Sequence, residues 1–203
     1  MKLTWSFLEG KKQVVLLSFD GEPWKRVHSS IISPATLKLD YLSLEEAEGV
    51  LYDLELKGAK GYALKRLSLK SYSSSELAKI LKIRFVSSAA IDEVLEDCRA
   101  LGVLNDLEWG EAFVRGCLNK KFGLRAIAQK LRQKGIPPSQ IEEFLASAPL
   151  EQEKNGLERL LSTRYARRDL SNRKEREKTI QALMRKGYSY SLIIEAMGEA
   201  SRH

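Results

Sequence analysis

A mainly α-helical fold, three tandem three-helix repeats forming an elongated curved molecule behind a small N-terminal β-hairpin and helix, follows from three observations. Apolar residues recur at helical spacing through most of the chain. The pattern returns after about 50 residues, as in stacked repeats. Strand-like runs rich in β-branched and aromatic residues are confined to the N-terminal end.

The first element is the hairpin. "QVVLLSFDGEPWKRVHSSII" sets two β-rich runs on either side of Asp20-Gly21, a pair that tolerates the positive φ angles of a tight turn. Pro23 has no N–H to give a sheet, so it belongs at the turn or on an edge. Ser33-Pro34 has the form of an N-cap followed by a first-turn proline. Ser43-Leu44-Glu45-Glu46 fits a capping box, and the helix behind it is expected to run to about Leu56, where Gly58 and Gly61 weaken it. The N-terminal extension is thus bounded at residues 1–58.

The repeats follow, at 59–104, 105–150 and 151–203. In the second, Leu124, Ile127, Ala128 and Leu131 line one helix face, Gly135 supplies the stop, and Pro137-Pro138 open a helix that buries Ile141, Phe144 and Leu145. Fifty residues earlier, Leu77, Leu81, Ile91 and Leu95 match Ile127, Leu131, Ile141 and Leu145, and Tyr72 matches Phe122. Fifty-two residues later, Leu183, Gly187, Ile193 and Met197 fall into line. Ser87, Pro137 and Ser189 precede the last helix of each repeat. Phe85 stands where the glycine should be, so that helix is expected to end differently, and Thr179 replaces Ile127. Tyr165 matches Phe122, which implies a basic insertion, "ARRDLSNRK", in the third repeat.

Of 203 residues 43% are hydrophobic, enough for a buried core. Cys98 and Cys117 lie far apart without metal-ligand spacing, which argues against a disulfide framework or a zinc site and for reduced thiols. "MKLTWSFLEGKK" is no export signal, and Val14–Leu17 is too short to span a bilayer, so a soluble cytoplasmic protein with no membrane contact is expected.

The formal net charge of +7 favours an acidic partner. Residues 1–61 carry eight bases and nine acids, so the surplus lies beyond them. From Arg115 to Lys134 there are seven bases and no acid: Arg115, Lys120, Lys121, Arg125, Lys130, Arg132 and Lys134. The third repeat adds Arg164, Arg167, Arg168, Arg173 and Lys174, with Asp169, Glu175 and Glu177 close by. Arginine grips carboxylates and phosphates bidentately and lysine acts as a point charge, so these residues form a candidate partner or DNA surface. A solvated basic face is the competing reading. Phe113, Phe122 and Phe144 read as core; Trp109 packs in the turn between repeats or stacks on a base.

Catalysis finds little support. There are two histidines, His28 in a predicted strand and His203 at the end, and no GxxxxGK[ST] loop. Glu45-Glu46 and Glu142-Glu143 point around their helices, and Asp92, Glu93, Glu96 and Asp97 read as one solvated acidic face. No enzyme, cofactor or metal is expected.

The stretch "LGVLNDLEWGEAFVRGCLNKKFGLRAIAQKLRQKGI" (101–136) resembles the RecX family of recombination regulators. The likeness rests on Leu101, Gly102, Leu104, Asn105, Asp106, Trp109, Ala112, Phe113, Val114, Lys134 and Gly135, and on the closing "RKGYSYSLI". The "VVLLSFDGEPW" hairpin resembles an extension found in part of the family. The resemblance implies three three-helix repeats and a monomer that binds the RecA recombinase filament. It also implies restraint of recombinase, ATPase and co-protease activities, and weak binding of single- or double-stranded DNA. A helical-repeat DNA- or RNA-binding protein without a recombinase partner is the alternative.

Overall fold

The structure, a computed structural model, describes residues 1–38 and 40–200; His203 lies outside them. The chain forms two compact units, Met1–Asp106 and Leu107–His203. Among the described residues no helix is long and apolar enough to cross a membrane.

The first unit opens with a three-stranded antiparallel sheet, β1 (Leu3–Leu8), β2 (Lys11–Phe19) and β3 (Glu22–His28), in the order β1-β2-β3. The expected hairpin is β2–β3, with Asp20 at φ 47° and Gly21 at φ 92° in its turn. Pro23 lies in the edge strand β3, where its missing N–H costs no ladder bond. The strand β1 adds to what the sequence pattern predicts. Leu3, Val15, Leu17, Phe19 and Val27 alternate onto one buried face. Ser33 and Pro34 open a single 3-10 turn, Pro34–Thr36.

Helix α1 runs Leu44–Leu67, well past the stop expected near Leu56. Ser43 Oγ accepts from Glu46 N, but Glu46 Oε2 accepts from Leu42 N, so the capping box is only half formed. The glycines do not end the helix. A Cβ on Gly58 would lie 1.8 Å from the Ile31 carbonyl oxygen, so this glycine admits the chain leaving the sheet. The boundary placed at residue 58 therefore falls inside α1. α2 (Ser74–Lys82) and α3 (Ser88–Ala100) complete a three-helix module whose core holds Leu77, Leu81, Ile91, Val94 and Cys98.

The second unit holds two such modules: α4, which starts at Asp106 and ends at Asn119, with α5 (Leu124–Lys134) and α6 (Pro138–Ala146), then α7 (Leu150–Thr163), α8 (Arg173–Arg185) and α9 (Tyr190–Ala200). One core gathers Val114, Leu118, Ile127, Leu131, Ile141 and Phe144; the other gathers Leu157, Leu161, Leu183, Tyr188, Ile193 and Met197. Each fully buried aliphatic side chain here contributes about 1.5–3 kcal/mol. A Cβ on Gly110 would stand 2.5 Å from the Phe144 ring, so α4 meets α6 only because that position is glycine.

The middle helix of every module stops by one device. Val86 N reaches Leu81 O, Ile136 N reaches Leu131 O and Tyr188 N reaches Leu183 O, each bond closing over a left-handed residue. That residue is Gly135 (φ 83°), Gly187 (φ 94°) or, in the first module, Phe85 (φ 61°). The first module thus ends α2 as the others do, with phenylalanine forced into the glycine conformation. Val86, Ile136 and Tyr188, next in line, are buried and hold the turn down.

Candidate functional site

Four cations of the second unit, Lys121, Arg125, Lys130 and Lys186, lie where its two modules meet. α5 begins at a glycine that has no side chain to cap it. Its open amides are met by the neighbouring module instead. Gly123 N donates to Lys186 O (2.9 Å), Arg125 N to Gly187 O (3.1 Å), and Leu124 N to Glu153 Oε1 (2.9 Å). The C-terminus of α8 therefore abuts the N-terminus of α5, carbonyls facing amides. A Cβ on Gly123 would lie 2.4 Å from the Gly187 carbonyl carbon, and one on Gly187 would lie 2.3 Å from Ala126 N. Two glycines let backbone rest on backbone. A related cap serves α2, whose Ser74 N and Oγ both donate to the carboxylate of Asp106.

Over this junction sits Phe122, half-buried rather than core. Lys130 Nζ lies 4.5 Å from its ring centroid and Lys186 Nζ 5.2 Å, so two ammonium groups share one π system. Lys186 Nζ also donates to Lys121 O (3.3 Å). Burial lowers the pKa of Lys186, and the charges of Arg164 and Lys121 lower it further. Lys121 itself holds φ 57° in the turn between α4 and α5. Sequence reading missed Lys186, although it stands at the repeat position of Lys134.

The other predicted cations divide by position. Arg125 and Arg132 are exposed and share one flank of α5, while Lys120 is exposed beside Lys121. Arg115 pairs with Glu111 one turn earlier on α4 (3.3 Å). Lys134 stands over Trp109 (5.7 Å) and Phe113 (5.4 Å), two half-buried rings stacked at 5.3 Å. Arg164 and Arg167 are exposed on the segment after α7. Arg168 is instead tied into the third module. Its guanidinium donates to the buried hydroxyl of Thr179 (3.0 Å) and lies over the Tyr165 ring (5.1 Å). Arg173 pairs with Glu177 (2.9 Å), which raises its pKa. Arg173 and Lys174 begin α8, about 20 Å along the helix from Lys186.

Among the described residues no group of three or more His, Cys, Asp or Glu is arranged to hold a metal ion. The face expected to be solvated is partly engaged with α1: Glu93 accepts from Tyr52 and Asp97 pairs with Lys60. His28 Nδ1 accepts from Ser30 N at 3.2 Å, and its pKa is lowered by burial and by Arg84. Cys98 and Cys117 are free and buried, and burial raises both thiol pKa values.

Two family models match these modules. "RecX, second three-helix domain" covers residues 105–145 and "RecX, third three-helix domain" covers 155–197. The chain is 29% identical over 193 residues to Regulatory protein RecX of Streptococcus pneumoniae (strain CGSP14), which spans 94% of this chain and 74% of that protein. It is 26% identical over 194 residues to Regulatory protein RecX of Streptococcus pyogenes serotype M5 (strain Manfredo), spanning 95% and 74%. The fold is that of a solved structure of regulatory protein RecX (TM-score 0.63, 24% identity, 96% of this chain and 98% of that one). It is also that of RecX from Lactobacillus salivarius (TM-score 0.65, 24% identity, 73% and 97%). With both modules of the second unit matched in order, and relatives aligned along nearly its whole length, this chain carries the second and third three-helix domains of RecX and resembles the regulatory proteins of that family.

Proposed function

We propose that the chain binds the filament that a RecA-type recombinase forms on DNA, and that by this contact it restrains recombinase, ATPase and co-protease activities. The carrying observation is the cationic surface around Phe122, drawn from two modules, with no acid between Arg115 and Lys134. A nucleoprotein filament offers both kinds of anion that such a surface grips, protein carboxylates and phosphates. The likeness to regulatory proteins of the RecX family supports the regulatory role. The mechanism is binding rather than chemistry: contact with one filament state in preference to another shifts the balance between them, and only differential affinity does so. The binding residues are Arg115, Lys120, Lys121, Arg125, Lys130, Arg132, Lys134 and Arg164, with Arg167, Arg173 and Lys174 at a second place along the unit. Bare single- or double-stranded DNA is bound weakly, and the setting is the cytoplasm.

The test is strand exchange and DNA-dependent ATPase with the recombinase of the same cell, titrated with the full chain. Inhibition at fewer than one chain per recombinase protomer is expected. An untouched recombinase, together with steeply salt-dependent binding of bare nucleic acid, would instead identify a plain nucleic-acid binder.

A further inference from the structure

Beside the monomer that the resemblance implies, we propose a reversible pair: two copies of this chain associate through the outer edge of β1, antiparallel, about a twofold axis at Ser6. The direction of the backbone makes the case. Asp20 N donates to Lys2 O, so even-numbered residues of β1 turn their amides toward β2. Met1 N donates to Tyr41 O and Tyr41 N to Met1 O, so odd-numbered residues turn theirs outward. The chain near Asp40 covers only the start of this edge, bridging at Lys2. Farther along, Trp5 and Phe7 point their N–H and C=O groups away from β2, and no strand pairs there among the described residues.

Sheet edges are ordinarily blunted by charge, proline or a cover. β3, the opposite edge, follows that rule with Pro23, Lys25 and Arg26. β1 reads LTWSFL, without charge and without proline. Trp5 and Phe7 are 40% and 51% exposed, one ring edge-on to the other at 5.8 Å.

The edge is self-complementary in one register. An axis at Ser6 sets Trp5 of one copy opposite Phe7 of the other, and both outward residues of each copy then make their two main-chain hydrogen bonds. An axis at Trp5 drives Phe7 against the covered Leu3 position, and an axis at Phe7 drives Trp5 past the end of the strand. Charge permits the meeting, because residues 1–61 carry eight bases against nine acids while the positive surplus lies elsewhere. Four rings and one short strand pair fall below the roughly 1,200 Å² of a standard stable interface, so the pair is reversible and concentration-dependent.

In this register Ser6 faces Ser6 as a non-hydrogen-bonded pair, with Cα atoms about 4.5 Å apart, inside the range of a disulfide. Full-length Ser6→Cys and Thr4→Cys variants are oxidised side by side; native Cys98 and Cys117 are buried. Ser6→Cys should form a covalent dimer at least about tenfold faster, since Thr4 faces Leu8 of the other copy. Sedimentation of the unmodified chain should show a dimer growing with concentration, and Trp5→Lys/Phe7→Lys, with an unchanged far-ultraviolet spectrum, should lose it. Equal cross-linking rates, a monomer at every concentration, or a dimer that survives both lysines would each overturn the proposal.

Discussion

Gly123 and Gly187 lie backbone to backbone, the first at the head of α5 and the second at the tail of α8. A Cβ on Gly123 would reach 2.4 Å from the carbonyl carbon of Gly187, in fixed main chain that cannot step aside. Gly123→Ala should therefore destabilise the second unit by about 3 kcal/mol, as overpacking against main chain does. Gly116→Ala, in α4 with nothing within 4 Å of its Cβ, should instead stabilise by up to about 1 kcal/mol. Urea denaturation of the two variants checks the contrast.

Glu153 is buried, and burial raises its pKa despite the bond from Leu124 N and the charge of Arg125. A raised carboxyl pKa means that the fold disfavours the ionised form. The chain is then relatively most stable below the ordinary carboxylate range, loses stability as pH rises from there through the folded pKa, and levels off above it. Glu153→Gln keeps an acceptor for Leu124 N, so its stability relative to the unmodified chain should improve across that window. Denaturation midpoints from acid to neutral pH read the difference.

Arg168 is a structural cation within the basic insertion of the third repeat. Arg168→Ala should cost about 1 kcal/mol, through the lost bond to Thr179 and the lost contact with Tyr165. Arg167→Ala, one residue away and exposed, should leave the thermal midpoint unchanged.

Arg125 and Arg132 carry no core contact on their exposed flank of α5. Reversing both to glutamate should leave the helical spectrum intact and weaken inhibition of strand exchange by at least about tenfold, the equivalent of one charge-assisted hydrogen bond. Full inhibition by the folded double variant would return this face to ordinary solvation.

The modules were legible because their signal is periodic: Leu77, Ile127 and Thr179 occupy one buried position, and so do Leu81, Leu131 and Leu183. What escaped reading depended on contacts between distant positions. Gly58 looks like a helix breaker until Ile31 is seen against it. β1 is short and is followed by Glu9-Gly10, a weaker turn signal than Asp20-Gly21, so one strand of the three went unseen. Phe85 departs from the glycine pattern in composition but not in conformation, because Val86 and the Leu81 carbonyl hold it in the left-handed region. Of the candidate surface, the charged residues were visible as a run without acids. Their centre on Phe122, and the arrival of Lys186 from the next module, required the junction itself.

That junction bears on how such chains can be cut and rejoined. α5 borrows its N-terminal acceptors from Lys186, Gly187 and Glu153, all of which lie beyond its own module. A deletion ending after α6 would strand three amides and uncover the Gly123 main chain. A hybrid carrying a foreign third module would work only if the donor sequence also supplied a glycine at the α8 stop and an acid in the first turn of α7. The natural unit of exchange is therefore the pair of modules with its seam intact.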